Sequence, residues 1–400
     1  MQLSDTLQTF IHAHAGDDLS VLLLSAARYP EVDVPFAAEQ IAARRQIREK
    51  LPAWYADGRL VFPSKTAAEQ CSSEQTARYK CRLLEGERHL CDLSGGLGVD
   101  SYYFAQKVER VTYVECARRC FEAAMYNFSL LQAGNIAGLA ARAEEAWEEV
   151  ASVDAFYLDP SRRREGVRLF ALQDCEPDLT KLLPLLLRQA PKVIAKLSPM
   201  LDIRHTLTLL PGATAVHVVS VRNECRELLF VWRRAAGVPE PEIHCVNYTA
   251  DGTEQAFRFW PEEEQRCTAP VCGQAGRYLY EPHASILKAG AFKLTAVRTG
   301  AGKLHVHSHL YTSDRLIAGF PGRVFRVREV IPFCGKTCRT IARHLPQASV
   351  SVRNFPLTVR ELRRRTRIAE GGNRYVFATT LAGNERVLIC CEKAGSLPAG

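Results

Sequence analysis

The stretch Cys91–Asp100, CDLSGGLGVD, puts small residues where a backbone could wrap closely around a ligand. An apolar strand is predicted to end near Asp92. Ser94, Gly96 and Gly98 follow at two-residue steps, with Gly95 between them, and a helix is predicted from about Asp100. A first strand of a doubly wound sheet that ends in such a turn leaves its ligand outside the strand's carboxyl end. The spacing is not the GxGxxG of dinucleotide-binding folds, and the GK[ST] of a nucleoside-triphosphate loop is absent. Acids stand at the ends of the next predicted strands: Glu115 closes VTYVE, Glu144 follows a weak third strand, and Asp159 closes the fourth in FYLDPSRR, followed by Pro160. A carboxylate can accept hydrogen bonds from both hydroxyls of a ribose, which no amide or amine does as well. Lys196 lies inside the apolar string VIAKLSPM, where a charge needs a reason.

These residues are spaced by alternating strands and helices. From about residue 86, strands are predicted at His89–Leu93, Arg110–Val114, Ala155–Leu158, Val193–Leu197, Ala215–Val221 and Leu228–Trp232, with helices between, the pattern of a doubly wound α/β domain over 86–235. Ahead of it, residues 1–85 have helical periodicity in Leu3–Phe10, Leu19–Ala27 and Phe36–Leu51. The segment Arg233–Pro241, with Gly237 and two prolines, is the predicted linker. The tail is α+β and divides near Phe320, into 242–319 and 320–400. In the second part we expect a strand at Arg323–Val330, a helix at Cys338–His344, a strand at Ala348–Arg353, a helix at Thr358–Arg367, and a hairpin of Tyr375–Thr380 and Arg386–Cys391.

Composition excludes several classes. The 400 residues are 47% apolar and 24% charged, an ordinary globular balance with enough apolar surface for more than one core. The N-terminus MQLSDTLQTF has no basic region leading into an apolar stretch, and no apolar run is long enough to span a bilayer. We therefore expect a cytoplasmic chain without membrane association. Its 14 cysteines are expected to be reduced thiols, and neither Cys267/Cys272 nor Cys334/Cys338 has zinc-site spacing, so no metal is expected. The net charge of +8 permits an anionic partner. Basic residues cluster at Arg162–Arg164 and in VRELRRRTR, Val359–Arg367.

The loop pattern D-x-S-x-G-x-G, with the acids that follow, resembles the first motif of class I S-adenosylmethionine-dependent methyltransferases. The whole chain also resembles a bacterial family of such enzymes with a C-terminal THUMP-like domain. The matching strings are FPSKTAAEQCSSEQTARYK, DLSGGLGVDSYYFAQ, FYLDPSRR, YLYEPHASILKAGAFK, HLYTSD, and VRNFPLTVRELR with FATTL. The resemblance implies a Rossmann-like, doubly wound, mostly parallel sheet with a hairpin of its sixth and seventh strands. A helical N-terminal region would precede it, and a ferredoxin-like segment (242–319) and a THUMP-like domain (320–400) would follow. It implies S-adenosyl-L-methionine as cofactor, held by Asp92, Ser94, Gly95, Gly96, Gly98, Glu115, Glu144, Asp159 and Pro160. Because THUMP domains proper bind RNA, it also implies methylation of RNA, contacted by Arg162, Arg163, Arg360, Arg363, Arg364, Arg365 and Arg367.

Two acceptor chemistries stay open. Amino-methylating enzymes of nucleobases usually carry Asp/Asn-Pro-Pro and an aromatic residue, and Asp159-Pro160-Ser161-Arg162 keeps only the acid and the first proline. Ribose 2′-O-methyltransferases often use a Lys-Asp-Lys-Glu set, for which the chain offers Lys65, Asp159, Lys196 as general base, and Glu227. The alternatives to an RNA methyltransferase are an RNA-binding or assembly protein that keeps the fold without turnover, and a protein methyltransferase. No obligate protein partner is indicated.

Overall fold

The structure is a computed structural model that describes residues 3–161, 163–164, 167–168, 175–234 and 240–394. The predicted linker lies largely at 235–239, outside the described residues. The chain forms two compact units, the first Met1–Leu197 with Arg204–Thr214 and Leu229–Val238, the second Ser198–Ile203, Ala215–Leu228 and Pro239–Gly400.

The first unit opens with helices α1 (Asp5–Ala13), α2 (Leu19–Leu24), α3 (Val34–Ile47), α4 (Pro52–Ala56), α5 (Lys65–Gln70) and α6 (Glu74–Cys81). Ser4, Asp18, Asp33, Ser64 and Ser73 cap five of them by accepting a backbone N–H of the first turn. The single helix expected over Phe36–Leu51 ends at Ile47, and Pro52 opens a new one, because proline fits the first helical position but not an interior one. The sheet follows: β1 (His89–Asp92), α7 (Val99–Ala105), β2 (Arg110–Val114), α8 (Arg118–Leu130), β3 (Ile136–Leu139), α9 (Ala143–Glu149), β4 (Ala155–Leu158), the short pair β5 (Arg163–Arg164) and β6 (Val167–Arg168), α10 (Leu179–Gln189) and β7 (Lys192–Leu197). The order β7-β4-β1-β2-β3 is parallel throughout. β1, β4 and most of β7 are buried, as near-continuous apolar strands of a covered parallel sheet must be. After α11 (Ile203–Leu209), β8 (Ala213–Val221) and β9 (Glu224–Arg233) make the expected hairpin through Arg222 and Asn223, both in the left-handed region.

In the second unit β10 (Glu242–Tyr248) runs parallel to β8, and β11 (Glu254–Phe259) antiparallel to β10. Then come α12 (Pro261–Arg266), β12 (Tyr278–Pro282), α13 (Ala284–Ala289), α14 (Phe292–Thr299), β13 (Gly302–Lys303), β14 (Tyr311–Ser313), β15 (Gly322–Pro332), α15 (Gly335–His344), β16 (Ser349–Arg353), α16 (Val359–Thr366), β17 (Arg374–Thr380) and β18 (Arg386–Lys393). They build a seven-stranded sheet of order β13-β14-β12-β15-β18-β17-β16. Alternate residues divide between its faces: Val376, Ala378 and Leu388 pack with Ile341 of α15 and Leu362 of α16, whereas Phe377 and Ile389 pack with Leu304 and Leu310.

Candidate active site

Because the first unit's strands are parallel, the residues at their carboxyl ends collect along one edge. Asp92 ends β1 almost fully buried; its carboxylate accepts from Ser101 Oγ at 2.6 Å and from the Ser94 N–H at 3.1 Å. Burial pushes its pKa up to about 7, with Asp100 and Asp159 adding repulsion against the two donors. Gly96 and Gly98 take positive φ of 53° and 83°, which favours glycine, and Gly98 caps α7. A Cβ on Gly95 would lie 2.1 Å from the Tyr113 ring, and the Tyr113 hydroxyl donates to Gly96 O at 2.6 Å. Glu115 follows β2, its Oε2 accepting from Gly96 N–H at 2.8 Å and its Oε1 from Ala117 N–H at 2.6 Å. The loop and Glu115 thus form one hydrogen-bonded cradle, with spare lone pairs on the carboxylate. Bare backbone beside a strand-end acid fits an adenosyl cofactor, whose ribose diol donates to such an acid.

Asp159 stands just past β4, where its N–H donates to Ser94 Oγ at 2.5 Å, so the glycine loop also fixes the acid. Lys196 of β7 donates to Asp159 Oδ2 in an ion pair only partly exposed to solvent. Pro160 is buried. The other predicted residues are more scattered. Lys65 is exposed at the first position of α5 and makes no ion pair among the described residues. Glu144 is exposed on α9, 3.6 Å from Arg142. Glu227 is buried in β9, within the second unit. Arg162 lies outside the described residues, and Arg163 begins β5.

Two groups of residues escaped the sequence reading. The first is a buried network: Lys80 Nζ donates to Asp100 Oδ1 and Ser72 Oγ at 2.8 and 2.7 Å, while Asp100 Oδ2 accepts from Ser72 Oγ and Tyr157 Oη at 2.8 and 2.9 Å. Burial alone would raise the Asp100 pKa, but the Lys80 and Lys196 ammoniums and these donors outweigh it and hold it below the carboxylate range. The signal was Lys80 itself, one turn on from Thr76 and Ala77 on the inward face of α6.

The second group is on α15. Lys336, Arg339 and Arg343, three and four residues apart, share a helix face and are exposed. On α16, Arg360, Arg364 and Arg365 are exposed, and Arg367 follows in the left-handed region. None of these seven makes an ion pair among the described residues. Arg363 differs: it donates to Ile368 O and Ala348 O, so it ties α16 to β16. The helix expected at Cys338–His344 begins at Gly335, which brings Lys336 onto it.

Comparisons with known proteins fit this arrangement. A ferredoxin-like domain family matches residues 278–321, and a THUMP domain-like family matches 322–393. The crystal structure of a “putative methyltransferase” from Porphyromonas gingivalis W83 is 35% identical, covers 98% of each chain and superposes with a TM-score of 0.86. Two proteins from Mycobacterium tuberculosis strains, each named an uncharacterized S-adenosylmethionine-dependent methyltransferase, are 26% identical over 307 residues, 76% of this chain and 80% of theirs. No helix among the described residues is long and apolar enough to cross a membrane.

Proposed function

The chain belongs to the family of S-adenosylmethionine-dependent methyltransferases that end in ferredoxin-like and THUMP-like domains, and from that membership we propose that it methylates RNA. The cofactor, when bound, supplies an electrophilic methyl group on a sulfonium. The Asp92–Gly98 loop and Glu115 hold it, with Glu115 taking the ribose hydroxyls on its spare lone pairs. The Asp159 carboxylate, set by Ser94 and Lys196, accepts a hydrogen bond from the acceptor's N–H or O–H and so orients its lone pair.

The observation that carries the RNA substrate is the distribution of charge. Residues 322–393 hold fifteen Lys and Arg against five acids, a net +10, although the whole chain is only +8. A concentration of positive charge on one domain is the electrostatic footprint of a nucleic-acid partner. THUMP domains proper bind RNA, which agrees. With a ribose hydroxyl as acceptor, Lys196 would have to give up the proton it holds in its ion pair with Asp159 before it could take the hydroxyl's proton.

The test is methyl transfer from labelled S-adenosylmethionine to total RNA of cells lacking the protein, followed by nucleoside mass spectrometry. One methylated nucleoside should form, and Asp159→Ala should abolish it while sparing cofactor affinity. Label confined to protein, or absent from RNA, overturns the proposal. Lys196→Arg retains charge but not a base, and should lower turnover about a hundredfold for a ribose acceptor. A methyl found on a base removes that role from Lys196.

A further inference from the structure

Segments far apart in the sequence meet in the second unit, on the face of the seven-stranded sheet opposite α15 and α16. The loop between β13 and β14 carries His305, His307 and His309. Its Ser308 is buried and bonded to Thr379 Oγ1 and Thr380 O, both at 2.9 Å. Asn354, just after β16, donates from Nδ2 to His305 Nδ1 at 3.0 Å, and its own carbonyl accepts from Thr380 Oγ1 at 2.7 Å. The His307 N–H also points at His305 Nδ1, at 3.0 Å. With two donors on Nδ1, the ring proton of neutral His305 is on Nε2, which is left for solvent or a ligand. The His307 ring is exposed, its centre 5.4 Å from that of His305.

Cations outnumber acids here. Glu281, fully buried on β12, has one carboxylate oxygen on Arg353 at 2.7 Å and the other on Arg323. Glu264 spends both oxygens on the Lys293 and Leu294 N–H groups at the start of α14. Lys303 donates to the Val306 carbonyl at 2.7 Å and lies over the Phe292 ring, 5.8 Å from its centre, and it makes no ion pair among the described residues. His309 stacks on Phe292 with ring centres 3.5 Å apart, and its Nδ1 is buried without a hydrogen-bond partner among the described residues. Burial first, and then the nearby Lys303, His307 and Arg353, push its pKa down to about 4. A metal ion is a poor occupant, since no described group of three His, Cys, Asp or Glu is arranged to hold one.

We propose that His305, His307, Arg353 and Asn354 form a phosphate-binding corner that takes a phosphodiester of the RNA. The corner offers imidazole and amide N–H donors, and Arg353, next to Asn354 in the chain, adds the charge of a guanidinium that also donates to Glu281 and to Val352 O; a phosphate offers only acceptors. The phosphodiester rests on the RNA reading; phosphate binding as such does not. The test uses the full chain with labelled histidine. Inorganic phosphate should shift the His305 and His307 ring resonances saturably, while chloride at equal ionic strength does not. The signals are assigned by their loss in His305→Gln and His307→Gln, whose thermal melts report folding. In RNA binding, the double variant should be about tenfold weaker at 0.1 M salt. Its log–log salt slope should be shallower by about 0.7–0.9, one phosphate's worth. Phosphate acting no differently from chloride overturns the corner; saturable phosphate binding with RNA affinity and slope unchanged in the double variant overturns its phosphodiester role. A wild type that binds phosphate but no RNA overturns the phosphodiester and the RNA reading together, and leaves a site for small phosphates.

Discussion

Asp92 keeps its carboxylate out of water with only two donors against it and makes no ion pair among the described residues. Its pKa rises from 3.8 to about 7, so the folded chain holds the proton longer than the unfolded one. Below about pH 4 both states are protonated and Asp92 costs nothing. Between pH 4 and 7 only the unfolded chain releases its proton, stability falls, and above 7 the loss is complete. At about 1.4 kcal/mol per pKa unit the loss is at most about 4 kcal/mol. Asp92→Asn should therefore melt progressively higher relative to wild type as pH rises from 5 to 8; a gap that does not widen excludes this origin. Gly95→Ala should weaken cofactor binding about tenfold by calorimetry and cost about 1–3 kcal/mol in stability, since Tyr113 is pinned by its hydroxyl and cannot move aside. Gly134→Ala, with nothing within 4 Å of the added Cβ, is the matched control. The loop, Glu115 and Asp159 could be read in the sequence because each follows its own strand at short range. Lys80 stood out only as a charge on the inward face of α6; its partner could not be read, since Asp100 is twenty residues away and only the docking of α6 on α7 joins them.

If the chain takes RNA as proposed, the paired helices α15 and α16 are the elements through which that binding should be most easily changed. The Thr358–Glu361 capping box fixes the start of α16 and engages the Glu361 carboxylate, the one acid within the helix, so Arg364 and Arg365 feel it only as a neighbouring charge and stay exposed. Lys336→Glu with Arg339→Glu should weaken RNA binding and flatten its salt dependence as much as Arg364→Glu with Arg365→Glu does; an effect confined to the α16 pair would remove α15 from the interface. The opening of α15 was hidden because Cys334 stands at its cap, where Ser, Thr, Asp or Asn would have marked it. The C-terminal hairpin was found within two residues of its true ends, because alternation and a Gly-Asn turn are local signals. The parallel register of β16 on β17 depends on α16 crossing back between them, and no local pattern encodes it.

For the whole chain, the charge balance separates two kinds of binding. Outside residues 322–393 the net charge is −2, so salt should act on RNA and leave the cofactor site nearly untouched. If the six exposed cations of α15 and α16 each meet a phosphate, RNA affinity should fall about two to three orders of magnitude between 50 and 200 mM salt. Cofactor affinity, measured by calorimetry over the same range, should hold within about twofold. The buried Lys80–Asp100 pair has a different consequence, one for the ancestry of the chain. A second tie accompanies it: Asn127 of α8 exchanges two hydrogen bonds with the Val61 backbone, at 2.9 and 2.8 Å. Cutting the chain ahead of β1 would take Lys80 and Ser72 from the Asp100 carboxylate and leave it only Tyr157 and the more distant Lys196, at up to about 3–5 kcal/mol, and strand the Asn127 amide for about 1–3 more. That rivals the entire stability of an ordinary domain, about 5–15 kcal/mol. The N-terminal helices are therefore not an interchangeable cassette fused to a self-sufficient enzyme; any shorter cousin that dispenses with them must also have given up the acid at 100 and the amide at 127.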